Sequence, residues 1–131
     1  MISRYKTKAL AGLGFGIVTA ALLSSCASHP QRMSPEQIAE DQRNIIPVIH
    51  NANRIYFNDY GKDADSVEQL EELEYLTIDP ETRNWFEYEL VKQDGRLISI
   101  IATSTRKAPC GKGKKIVYDA ATGEFSGELA K

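Results

Sequence analysis

The chain of 131 residues is poor in the residues that build metal, redox and covalent sites: it has two cysteines and two histidines. Cys26 and Cys110 offer no CxxC spacing and no disulfide framework, and no paired His or Cys-His arrangement accompanies them, so neither a metal nor a redox centre is expected. His29 and His50 are most simply surface residues. No nucleophile motif gathers Ser, His and acidic side chains, which argues against an enzyme. No apolar run reaches the roughly 20 residues that a permanent membrane helix needs. There are no internal repeats and no low-complexity segments.

Positive charge is unevenly distributed. Arg4, Lys6 and Lys8 precede an uncharged stretch, Ala9 to Ser25, rich in Ala, Leu and Gly. A basic start followed by a short apolar run is the layout of a secretory signal. The 16 cations of the whole chain include those three, whereas all 18 acidic residues lie beyond Ser25, so a chain starting at Cys26 carries 13 basic and 18 acidic residues, a net charge of −5. Such an acidic exported domain is a poor nucleic-acid binder, and no nucleic-acid partner is expected.

The end of the apolar run, Leu23-Ser24-Ser25-Cys26, resembles the bacterial lipobox: an aliphatic residue, two small residues and a cysteine. The resemblance implies cleavage between Ser25 and Cys26, a diacylglycerol thioether on the Cys26 sulfur and an N-acyl chain on the new amino terminus. Two acyl chains hold a protein stably on a bilayer where one is marginal. The expected division is therefore a removed signal, residues 1–25, a lipidated cysteine and polar tether, residues 26–33, and one folded domain, residues 34–131. Lipoproteins of enteric type often use Asp after the cysteine as an inner-membrane signal. Ala27 and Ser28 stand there instead, which favours the outer membrane, with the periplasmic face expected. No cofactor is expected beyond the covalent lipid on Cys26.

Ser34-Pro35-Glu36-Gln37 reads as a capping box with Pro at the first helical position. Apolar residues at Ile38, Ile45, Ile49, Ala52, Tyr56 and Tyr60, broadened by Ile46, Ile55 and Phe57, predict a long helix ending at Gly61. Pro47 inside it predicts a kink or a restart. Ser66 and Gln69 suggest a second, shorter helix with Leu70, Leu73 and Leu76 turned inward and Glu68, Glu71, Glu72 and Glu74 outward. Beyond Asp79-Pro80 the pattern alternates: Trp85 to Val91, an Asp94-Gly95 turn, Leu97 to Thr103, then Ile116 to Tyr118, and a further strand within Glu124 to Leu129. Phe86, Tyr88 and Leu90 are expected to face Ile98, Ile100 and Ala102. The predicted class is α+β, a long N-terminal helix and a short helix packed on a three- to four-stranded antiparallel meander.

Three features are candidate sites. The loop from Arg106 to Lys115, with Arg106, Lys107, Lys112, Lys114 and Lys115, suits lipid headgroups, a cell-wall polyanion or an acidic partner, or is a solvated connector. Asp59, Asp63 and Asp65 crowd one loop and are weak calcium candidates, without the spacing of an EF-hand. Trp85, Phe86, Tyr88 and Tyr75 are a binding surface or, more simply, core. Cys110, alone once Cys26 is acylated, reads as buried or inert.

The order of elements resembles the globular part of type IV pilins and type II secretion pseudopilins. The segments that carry it are Tyr56 to Gly61, Ser66 to Leu70, Leu73 to Leu76, Asp79-Pro80, Trp85 to Leu90, and Tyr118 to Ser126, within residues 45–127. The chain departs from that family in its leader. Thr19 stands where the pilin glutamate follows the peptidase site, faintly marked here by Gly14 to Thr19, and Cys26 interrupts the apolar segment. The resemblance therefore implies a pilin-like head used for protein–protein interaction in the envelope, in company with a secretion or pilus system, rather than a polymerising subunit. The other reading is a module for a small ligand or cell-wall component.

Overall fold

The computed structural model of the chain describes residues 33–131. The signal segment, the Ser25 and Cys26 positions, and the tether up to residue 32 lie outside the described residues.

Helix α1 spans Pro35–Tyr60. Ser34 caps it: its Oγ accepts from the Gln37 N–H while the Gln37 side chain accepts from the Ser34 N–H, so two otherwise orphaned donors are satisfied together. Gly61 closes it in the left-handed conformation, φ 74°, where glycine meets no steric penalty, and its N–H returns to the Phe57 carbonyl. Pro47 neither ends nor restarts the helix, which is continuous through it. The face turned to the core is Ile38, Gln42, Ile46, Ile49, Ala52, Asn53 and Tyr56, all buried. This differs from the expected stripe: Ile45 is half-buried and Tyr60 is 53% exposed. Two polar residues occupy the stripe because each has a dedicated partner inside, so a pattern built on apolar residues alone drifts around the helix.

A short loop leads to α2, Val67–Glu72, capped by Ser66 Oγ, which accepts from the Gln69 N–H. The Gln69 side chain reaches back to the Asp65 N–H, one residue short of the box the sequence suggests. Leu70 and Leu76 are buried, but Leu73 at the C-cap is 44% exposed, because the chain leaves the helix there through Glu74 at φ 63°.

Helix α3, Pro80–Trp85, is an element not expected from the sequence, and it takes Trp85 from the expected start of the opening strand. Its cap is Asp79, whose Oδ2 accepts from the Glu81 and Thr82 N–H groups, with Pro80 at the first helical position. Trp85 accordingly ends a helix, half-buried beside the core, and the strand begins one residue later.

The sheet is an antiparallel meander of β1 Phe86–Gln93, β2 Arg96–Ser104, β3 Lys115–Asp119 and β4 Phe125–Ser126, in the spatial order β1-β2-β3-β4. Asp94 and Gly95, both with positive φ, make the two-residue turn whose twist suits a hairpin. In register, Tyr88 faces Ala102, Leu90 faces Ile100, and these continue to Ile116 and Tyr118 on β3. These side chains and Phe86 form the inner face that meets α1. Ile98 lies outside it, 42% exposed. On the opposite face the strands carry Glu87, Glu89, Thr103 and Lys115 around Ile101 and Val117, and β1 is an edge of the sheet among the described residues. The fourth strand is only two residues long. Gly127, φ 102° and ψ −178°, turns the chain into a short 3₁₀ helix, Glu128–Ala130, that buries Leu129. The domain is thus α+β: a long helix and two short ones on a four-stranded antiparallel sheet.

Candidate interaction sites

The domain has two distinct ends. At one, the chain enters: Met33, half-buried against the core, lines a small recess with Trp85, Phe86, Ile38 and Gln42. The Gln42 Oε1 accepts from the Tyr88 hydroxyl at 2.7 Å, tying the first half of α1 to β1, and burial pushes the Tyr88 phenol well above its ordinary range. The loop between β2 and β3 projects from this same end, since the Thr105 N–H donates to the Trp85 carbonyl and the Thr105 hydroxyl to that of Asn84.

That loop contains the sequence's basic candidates, and it is wired rather than loose. Ser104 is its hub. Its hydroxyl donates to the Gly111 carbonyl and accepts from the Lys114 N–H, while its backbone exchanges hydrogen bonds with Lys114 and Gly113. Ala108 is buried beneath the loop, and Cys110 is half-buried against the core, its Sγ beside the Gly111 carbonyl. Arg106, Lys107 and Lys112 border an open hollow of about 490 Å³ with Arg83, Asn84, Glu87, Thr103 and Thr105. Arg83 is already committed, to Glu68 at 2.9 Å and Glu71 at 3.1 Å. Lys114 pairs with Glu128 at 3.1 Å. Among the described residues, Arg106, Lys107, Lys112 and Lys115 enter no ion pair.

At the other end, the last turns of α1 meet the β1–β2 turn and the end of β3 around a cleft of about 450 Å³. Its framework is Asp63. One carboxylate oxygen accepts from the Asn53 amide at 2.9 Å, and the other from the Leu97 N–H at 2.7 Å and the Arg96 Nε at 3.3 Å. Asn53 completes the clasp by accepting from the Ala64 N–H. Burial disfavours the Asp63 charge, yet the Leu97 and Asn53 hydrogen bonds and the Arg96 charge outweigh it and hold the carboxyl below its usual range. Arg96 lies over the Phe57 ring, 4.7 Å from the centroid to its guanidinium carbon. Arg54, Asn58, Ile98 and Asp119 complete the lining. His50 is not simply a surface residue: its Nδ1 is 3.1 Å from the Tyr118 hydroxyl, and desolvation, aided by the Arg54 charge, lowers its pKa.

Beside this cleft the same helix presents stacked aromatic rings. Tyr56 and Tyr60 stack at 4.5 Å, Tyr75 packs edge-on to both, and its hydroxyl donates to Asp59. Of the sequence's aromatic candidates, Phe86 and Tyr88 are core, whereas Tyr75 and Trp85 are only half-buried. The three candidate calcium ligands are not brought together: Asp59 faces Tyr75, Asp63 is inside the clasp, and Asp65 pairs with Lys92 at 2.9 Å. Among the described residues no group of three His, Cys, Asp or Glu side chains is placed to hold a metal ion. The cleft itself was missed from the sequence because its members come from residues 50–63, 96–98 and 119–121, far apart along the chain.

No protein-family model matches the chain, and neither a curated protein nor a solved structure resembles it significantly.

Proposed function

We propose that the chain is a membrane-anchored envelope lipoprotein, held by lipid on Cys26, whose α+β domain has no catalytic role and binds another envelope protein, in the manner of a pilin-like head serving a secretion or pilus system. The anchor rests on the lipobox resemblance of Leu23 to Cys26. The observation that carries the binding role is the surface at the end remote from Met33, where rigid Tyr and Arg side chains stand exposed. Tyr60 is held by ring stacking yet 53% exposed, and Arg96 is braced by Asp63 and Phe57. Ile98, which lines the cleft with Arg96, adds exposed apolar area. Tyr and Arg are enriched among the residues that dominate protein–protein binding energy, and pre-ordered side chains lose little entropy on docking.

The cleft beside this surface supports a second reading, a small polar ligand or cell-wall component held between Arg54, Arg96 and His50. A photoreactive phenylalanine at Tyr60, irradiated in native cells and analysed by mass spectrometry, separates the two. A discrete adduct with an envelope protein, lost in Cys26→Ser, is expected. Recovery of peptidoglycan alone, or of no adduct, favours the ligand reading.

A further inference from the structure

The chain enters the domain at the end where three cations without an ion-pair partner among the described residues, Arg106, Lys107 and Lys112, lie on one loop. Met33 and Trp85 line one recess, and the loop carrying Arg106, Lys107 and Lys112 is hydrogen-bonded to the carbonyls of Trp85 and Asn84. Six residues, 27–32, separate Cys26 from Met33, a span of about 25 Å when fully extended. A lipid on Cys26 therefore keeps this end, and not the Tyr60 end, beside the bilayer.

We infer that the Arg106–Lys112 loop rests on an anionic phospholipid surface, with Arg106, Lys107 and Lys112 against lipid phosphates, so that the lipid anchor and the loop together orient the domain. The inference rests on the lipoprotein reading above. Three observations carry it. The three cations have no ion-pair partner among the described residues, so meeting phosphate breaks no internal contact. The loop's wiring through Ser104 and Thr105 holds them in place before contact. The acids near the entry, Asp41, Asp79 and Glu81 around the Met33 recess, with Glu36 and Glu40 on α1, are repelled by the same surface. Attraction on one side and repulsion on the other tilt the domain onto its loop instead of standing it on the start of α1. The cleft and Tyr60 then face away from the membrane. Each cation at an anionic surface is worth about a fivefold change in residence, within a Debye length of about 8 Å.

The test uses the full lipidated protein in vesicles and reads lysine acylation by mass spectrometry. On vesicles with about 30 mol % phosphatidylglycerol in phosphatidylcholine, Lys107 and Lys112 are expected to react severalfold more slowly than on phosphatidylcholine alone. The difference should disappear in about 0.5 M salt, and Lys62, near the cleft, should react equally on both. Equal rates for Lys107 and Lys112 on the two vesicles overturn the inference and leave the anchor reading standing. Protection in native membranes but not in purified vesicles overturns it in favour of an acidic protein partner. An intact mass without acyl chains on Cys26 removes the lipoprotein reading and this inference together.

Discussion

Replacing Asp63 by Ala removes the acceptor on which the far end of the domain is built. The buried Asn53 amide and the half-buried Leu97 N–H each lose a hydrogen bond to a charged group, worth about 1.5–2 kcal/mol apiece. Arg96 adds little, because its side chain is 70% exposed and water takes over its charge. The expected loss is therefore about 3–4 kcal/mol, out of the roughly 5–15 kcal/mol that holds a domain of this size. Urea unfolding at pH 7 measures it, and the melting temperature should fall by roughly 15–25 °C. The pH dependence gives a second, independent check. The folded carboxyl titrates below the unfolded one, so its stabilisation is present above about pH 4 and drains away as pH falls through that value. The gap between the natural protein and Asp63→Ala should then narrow between pH 5 and pH 3, both values being about a unit from the unfolded carboxyl. A loss under about 1 kcal/mol, or a gap unchanged by acid, would refute the account of Asp63 as a charged clasp.

Gly127→Ala places a Cβ 2.6 Å from the Lys115 carbonyl oxygen, in a backbone region that only glycine populates freely. Chemical denaturation should show a cost of about 2–3 kcal/mol, against a smaller one for Gly111→Ala, where nothing lies within 4 Å; equal costs would mean that strain alone, and not contact, decides. The His50 imidazole should titrate below the usual histidine value by NMR, so its contribution to stability is held above that value and lost as pH falls through it. Arg54→Gln should raise the His50 midpoint part of the way back, since desolvation remains, and an unmoved midpoint would remove Arg54 from the explanation.

The parts of the fold that could be read from the sequence are those set by local chemistry. Ser34 with Gln37, Gly61, the Asp94-Gly95 turn and the alternation of Phe86, Tyr88 and Leu90 each carry their own instruction, and the structure follows them. The errors have physical causes. Asp79-Pro80 carries the same kind of cap signal as Ser34-Pro35, but strand-like residues just beyond it hid a helix of only six residues. The α1 stripe drifted because Gln42 and Asn53 are core residues whose burial depends on Tyr88, Asp63 and Ala64, partners 46, 10 and 11 positions away. His50 became more than a surface residue only through Tyr118, 68 positions on. The basic loop was legible as charge. Its rigidity was not, since that depends on Ser104 bonding across a turn whose closure no periodicity announces.

The position of β1 at the edge of the sheet, among the described residues, bears on how such a domain fares when crowded. An exposed strand offers unpaired backbone groups to any second strand, and that is the usual route to fibrils. Here Glu87 and Glu89 alternate along the edge, so parallel or antiparallel stacking of two copies brings carboxylates together. The pairing of β1 with β2 slips between Val91 and Lys92, where Ile98 of β2 is the extra residue, and such a bulge increases the local twist at that end of the pair. Many copies packed side by side on one surface would meet edge to edge and still fail to knit.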